Sequence, residues 1–245
     1  MTSDHYASPA FINIGERTQQ LGMLLHVQQF SSLIVLLTGD SDTGKSSLLA
    51  EANRQLSSHQ QVILFDAFQY SQQQSITAFL AQQLEPEQAP VEATEVSAQH
   101  ILVDDAHLLD IQALTMLVQQ SIKDESWHLV LCGDESLQEK LNKLQGELQF
   151  ENLYHHIRIK PLTEPETSQF IAELFQQAGQ DELPLSQRKI HQLWLLSHGL
   201  PGRIIELVDV EKESQQKRVA RFPLGHVAAI VLIGVALIFS FLYQD

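Results

Sequence analysis

Gly39-Asp40-Ser41-Asp42-Thr43-Gly44-Lys45-Ser46 spells G-x-x-x-x-G-K-S, and the residues on either side of it decide the fold. Ser32 to Leu37 is an apolar run that reads as a buried strand, and Ser47 to Ala52 reads as the opening turns of a helix. In a strand–loop–helix setting this pattern is a phosphate-cradling loop, Walker A. Its glycines let the backbone close around an anion, so that successive N–H groups point at phosphate oxygens. The positive end of the helix dipole faces the same charge. Gly39, Asp40, Ser41, Asp42, Thr43, Gly44, Lys45, Ser46 and Ser47 are the expected phosphate-binding residues. Lys45 would reach the β- and γ-phosphates, and the Ser46 hydroxyl would ligate Mg²⁺. The expected ligand is a nucleoside triphosphate, taken as ATP with its magnesium.

Apolar runs and helical spacings alternate through the first two thirds of the chain. Further strands are expected at Gln61–Phe65, Ile101–Val103, His128–Leu131 and Tyr154–Ile159. Helices are expected at Ile76–Leu84, Asp110–Ile122 and Ser136–Leu144. Glu85 to Ala98, with two prolines, four glutamates and no bulky core residue, reads as an exposed acidic loop. Short apolar strands separated by helices imply a five-stranded parallel sheet covered on both faces, an α/β core over residues 1–160.

From Pro161 the strands stop, and a small helical lid is expected over 161–210. Thr163 and Glu166 form a capping box, with Phe170, Ile171, Leu174 and Phe175 at helical spacing behind it. Ser186 opens a second helix, closed by Gly199, and Gly199-Leu200-Pro201-Gly202-Arg203 starts a third that runs to Val208. Residues 211–222 read as a basic juxtamembrane linker, with Lys212, Lys217, Arg218 and Arg221.

Residues 223–243 carry no formal charge, and Val227–Leu242 is apolar apart from Gly234 and Ser240. As a helix, Leu224–Tyr243 would span about 30 Å, which matches the hydrocarbon core of a bilayer. A transmembrane helix is therefore expected there. The basic residues before it place the N-terminal domain in the cytoplasm, so the chain reads as a single-pass protein of the cytoplasmic (inner) membrane. Met1–Ala10 lacks the basic start and apolar core of a signal peptide.

The 245 residues carry a formal net charge of −15, with a pI near 5.0. That balance argues against sequence-independent nucleic-acid binding, which needs clustered Lys and Arg. The single cysteine, Cys132, excludes an internal disulfide and reads as a small buried hydrophobe. His100, His107, His155 and His156 show no spacing with acids or cysteine that suggests structural zinc.

A phosphate loop needs a metal-positioning acid on a neighbouring strand. Ile101-Leu102-Val103-Asp104-Asp105 supplies the strand-then-acid pattern of Walker B. Asp104, at the strand's tip, would hold the Mg²⁺ shell, and Asp105 would orient and polarise the attacking water.

With Val103-Asp104-Asp105-Ala106-His107, Leu131-Cys132-Gly133-Asp134-Glu135-Ser136-Leu137, Lys160 to Thr167 and Gly199 to Arg203 added to the phosphate loop, residues 10 to 210 resemble the AAA+ ATPases. More narrowly they resemble the ExeA/GspA-type secretion ATPases and the cytoplasmic ATPase domain of DamX-type cell-division proteins. The resemblance implies that Arg203 is the lid arginine, sensor 2, contacting the γ-phosphate. Arg158 reads either as an arginine finger across a subunit boundary or as an ordinary strand-end arginine. Two departures stand out. The second Walker B acid is Asp105 where these families carry Glu, which retracts the carboxylate by about 1 Å, a misplacement that can cost on the order of 100-fold in rate. At the end of the fourth strand, Cys132, Gly133 and Asp134 offer no evident Asn, Ser or Thr to sense the γ-phosphate.

The favoured expectation is a membrane-anchored AAA+ ATPase that works with inner-membrane or cell-envelope partners, compatible with a homo-oligomer, in cell division or secretion. Its rivals are a nucleotide-dependent scaffold with little turnover, a DNA-handling ATPase, and a small-molecule kinase, for which no acceptor-binding motif is evident.

Overall fold

The computed structural model of the protein describes residues 11–58, 60–68, 98–150, 152–179 and 185–220, with side chains as far as residue 211. In chain order the elements are α1 (Glu16–Phe30), β1 (Ile34–Gly39), α2 (Lys45–Leu56), β2 (Gln61–Asp66), β3 (Gln99–Asp104), α3 (Ile111–Lys123), β4 (Trp127–Gly133), α4 (Ser136–Leu148) and β5 (Tyr154–Ile159). Three helices follow: α5 (Glu164–Gln177), α6 (Gln187–Ser197) and α7 (Pro201–Ala220). The chain divides into two compact units, Met1–Ile204 and Ile205–Asp245, and α7 crosses the boundary.

All five strands run parallel, in the order β2-β3-β4-β1-β5. Every residue of β1 is buried, as a central strand covered on both faces requires. Alternation sends its side chains to opposite sides. Val35 and Leu37 join Leu21, Leu24 and Val27 of α1 and Leu48, Leu49 and Ala52 of α2. Ile34 and Leu36 join Leu114, Leu117 and Val118 of α3 and Leu137, Leu141 and Leu144 of α4. The result is a three-layer sandwich with helices on each face of one sheet.

The expected strands are present: β5 has the expected bounds, and the other four run one or two residues further toward the C-terminal edge of the sheet. Asp110 caps α3 by accepting from the Ala113 N–H at 2.7 Å, and the Thr163/Glu166 capping box opens α5. Helix α1 is the element that the sequence reading lacked. Its four glutamines (Gln19, Gln20, Gln28, Gln29) blur the pattern, but Leu21, Leu24, Val27 and Gln28 lie at helical spacing and are buried. Helix α7 runs past the expected end at Val208 to Ala220, through a stretch of helix formers with neither Gly nor Pro. The expected helix at Ile76–Leu84, most of the acidic loop and the apolar span at 223–243 lie outside the described residues. Among the described residues no helix is long and apolar enough to cross a membrane.

A buried polar cluster sits at the opposite end of the sheet from the phosphate loop. His100 of β3 is fully buried and stacks on His128 of β4, with ring centroids 4.9 Å apart and planes 17° from parallel. Its Nδ1 lies 3.1 Å from Oε1 of the buried Gln28, and His128 Nδ1 lies 3.2 Å from the Ser31 carbonyl. Burial, and next the charge of His128, push the His100 pKa down from 6.5 to about 4. In the folded protein His100 therefore stays neutral where the unfolded chain takes up a proton. Stability is unaffected by this group above pH 6.5 and falls as the pH drops from 6.5 toward 4. Replacing His100 by Leu should remove about 1 to 1.5 kcal/mol of the stability difference between pH 6.5 and pH 5, read from urea midpoints at the two pH values.

Candidate nucleotide site

The loop between β1 and α2 folds on its own hydrogen bonds. Thr43 is buried, and its Oγ1 donates to the Asp40 carbonyl at 2.7 Å. Gly44 has φ +88°, a left-handed conformation that ends the loop and aims the first N–H groups of α2 into its bowl. Lys45 is the first residue of that helix. Its Nζ donates to the carbonyls of Gly39 (2.9 Å) and Asp40 (2.8 Å), which holds the ammonium over the mouth of the loop. Asp40, Ser41, Asp42 and Ser46 are exposed around it, and Ser47 is half-buried.

Parallel pairing brings the acids to the same edge. Asp104 ends β3 opposite Asp66 of β2, and β4 separates β3 from β1. Asp104 Oδ1 accepts from the Asp105 N–H at 3.0 Å. Asp105 takes a left-handed conformation (φ 51°), tolerable for Asp, and leads into one turn of 3₁₀ helix at Ala106–Leu108. Burial first, then Asp104 and more weakly Asp66, raise the Asp105 pKa, while His107 and Lys45 oppose the rise. Beneath them Cys132 donates its thiol to Asp104, and burial pushes that thiol well above its ordinary range, so it stays protonated and inert.

The residues present fit a magnesium ion. The Asp104 carboxylate and the exposed Ser46 hydroxyl are hard oxygen donors, and the charge of Asp104, which helps raise the pKa of Asp105, is one that a small divalent cation would offset. Among the described residues no cluster of three or more His, Cys, Asp or Glu is gathered for a metal. Ser46 and Asp104 would therefore share the ion with phosphate oxygens and water, the usual habit of Mg²⁺.

Arg203, on the first turn of α7, is exposed, and the turn that carries it is tied to the loop. The Gly202 N–H donates to the Asp42 carbonyl at 3.1 Å. Arg158 pairs with Glu135 of its own chain at 2.6 Å, both side chains more than half exposed, which explains the arginine as a strand-end ion pair.

Sequence reasoning missed Arg17 altogether. This α1 residue is 6 % exposed, and its Nη1 donates to the Thr43 carbonyl at 2.6 Å, so a buried guanidinium braces the phosphate loop from behind. Burial pulls its pKa down while Glu166 works the other way. Glu166 in turn accepts from Thr163 N and Oγ1 and from the Glu16 N–H. The signal for Arg17 lay only in a helix that the glutamines concealed.

A family signature described as an AAA domain matches residues 28–141, from the end of α1 into α4. Among solved structures, a Walker-type ATPase of Pyrococcus abyssi superposes with a TM-score of 0.60 at 16 % identity, over 96 % of this chain and 79 % of that one. Cdc6p from Pyrobaculum aerophilum gives 0.59 at 16 % identity, over 86 % of this chain and 65 % of its own. An AMPPCP-bound DnaA from Aquifex aeolicus gives 0.57 at 16 % identity, over 91 % and 69 %. No curated protein is significantly similar to the chain in sequence. The fold is the α/β P-loop NTPase fold, with a parallel five-stranded sheet.

Gly44→Ala tests the loop. A methyl group there would sit in a left-handed conformation 3.0 Å from Arg17 Nη1. The expected cost is about 1–3 kcal/mol of stability, read by urea unfolding, with at least about a tenfold loss of ATP affinity, read by titration with a fluorescent analogue.

Proposed function

We propose that this protein is a membrane-anchored AAA+ ATPase that binds MgATP and hydrolyses it slowly to drive or regulate a cell-envelope process, cell division or secretion. The observation that carries the reading is one edge of the sheet holding both halves of a nucleotide site. Lys45 lies over the mouth of a phosphate loop, and Asp104 and Asp105 lie at the tip of a strand one place beyond the loop's neighbour. The membrane anchor rests on the uncharged stretch 223–243 and the basic residues before it, which orient the folded domain toward the cytoplasm. The ExeA/GspA- and DamX-type assignment rests on the motif set quoted above.

Each residue then has a task. The backbone amides of residues 40–47 and the α2 dipole hold the phosphates, and Lys45 leaves its carbonyl partners for the β- and γ-phosphate oxygens. Magnesium, held by Ser46 and Asp104, would offset the charge that builds on the phosphoryl group. Asp105 accepts a proton from water as its oxygen bonds to the γ-phosphorus. The bond from that phosphorus to the β,γ-bridging oxygen breaks, leaving ADP and phosphate. Arg203 approaches the γ-phosphate from the lid, its guanidinium fork suited to phosphate oxygens.

A second reading, a DNA-handling ATPase, draws on the fold shared with Cdc6p and DnaA. The net charge of −15 weighs against it. Salt-dependent binding of DNA by the full chain in detergent would favour it.

Two measurements test the proposal. Lys45→Ala should abolish ATP binding in equilibrium titration with the fold intact by circular dichroism; retained affinity sinks the site. Asp105→Glu should raise the hydrolysis rate at least tenfold if retraction of the carboxylate is what slows it, on the order of the penalty for a 1 Å misplacement.

A further inference from the structure

The end of β4 holds no polar side chain of the kind expected to meet a γ-phosphate, but a polar group reaches that place from the neighbouring strand. A methyl group on Gly133 would lie 3.1 Å from both the backbone nitrogen and the Nδ1 of His107. The glycine is what lets the imidazole rest against the strand end. Two carboxylates flank the ring. Nδ1 faces Asp105 Oδ1 at 3.9 Å, and Nε2 faces Asp134 Oδ2 at 3.8 Å. Neither contact is a hydrogen bond, and both are within ion-pairing range.

The turn that carries the ring and the Asp134 carboxylate are each held by hydrogen bonds. Lys140 of α4 donates to the carbonyls of His107 (2.6 Å) and Leu109 (3.1 Å), pinning the 3₁₀ turn from outside. Asp134 accepts from Ser136 N (2.9 Å) and Oγ (2.6 Å), which sets its carboxylate at the head of α4. The Nδ1 atom, by contrast, is shut off from water and has no hydrogen-bond partner. Packing alone would favour an apolar side chain there, since a buried nitrogen without a partner is unfavourable.

We propose that His107 is a positioning residue for Asp105, its ring aligning the water-orienting carboxylate while Asp134 anchors the other nitrogen. This is the logic of a base oriented by a third group. It rests on the hydrolytic reading of the site and adds to it the residue that fixes the direction of a carboxylate one methylene shorter than glutamate.

The full-length chain in detergent, with magnesium, supplies the test. In His107→Ala, the affinity for a fluorescent ATP analogue and the KM for ATP should stay within about twofold of wild type while kcat falls at least about tenfold, as loss of an orienting partner does. His107→Gln, which keeps a polar group with an N–H facing Asp105, should recover part of that loss. In nitrogen-15 spectra of the nucleotide-free protein, Asp105→Asn and Asp134→Asn should each shift the ring resonances of His107. An unchanged kcat in His107→Ala overturns the inference and leaves the nucleotide site standing, as does wild type that binds ATP without turnover. Affinity and kcat falling together in both His107 variants also overturns it, because the ring then only supports the fold. Wild type that binds no ATP removes the reading of the site and this inference with it.

Discussion

The parallel alignment of strand ends about β1 is the constraint on which the rest depends. Because β1 is buried along its whole length, its neighbours are locked in register on both sides: Thr38 against Gly133, Gly39 against Ile159. A slip by one residue would turn Val35 and Leu37 toward the wrong helices. The hydrophobic pattern of one strand thus fixes where the phosphate loop begins and how far Asp104 stands from it. Chemistry at the edge is paid for by packing at the centre.

Charge at that edge is strongly mixed. One ammonium, at Lys45, and the N-terminus of α2 share that edge with Asp66, Asp104 and Asp105, and burial and the neighbouring Asp104 raise the pKa of Asp105. Such an edge is poorly satisfied by itself and well matched to a ligand that carries both anionic oxygens and a divalent cation. Arg17 adds a positive charge behind the loop, where it supports the backbone rather than competing for the mouth.

What was legible in the sequence was local. The phosphate loop is eight consecutive residues, and Asp104 with Asp105 follows directly on an apolar strand, so spacing alone revealed both. The capping box at Thr163 and the cap at Ser186 were legible for the same reason. Arg17, His107 and Lys140 were not, because their roles arise from contacts across 26 to 33 residues or between strands that only folding makes neighbours. Helix α1 was missed because glutamines diluted a stripe that is narrow but fully formed.

Glu166 carries a consequence of its own. One carboxylate both closes the first turn of α5 and receives the leading amide of α1, at a point where Gly15 leaves no room for a side chain. The N-termini of α1 and α5 are thereby stapled together, with Arg17 one residue further along gripping the loop. A second tie to the loop runs from the Gly202 N–H to the Asp42 carbonyl. The chain after the sheet is thus moored to the phosphate loop at two separate points, so a change in either mooring alters the support of the backbone that Lys45 caps.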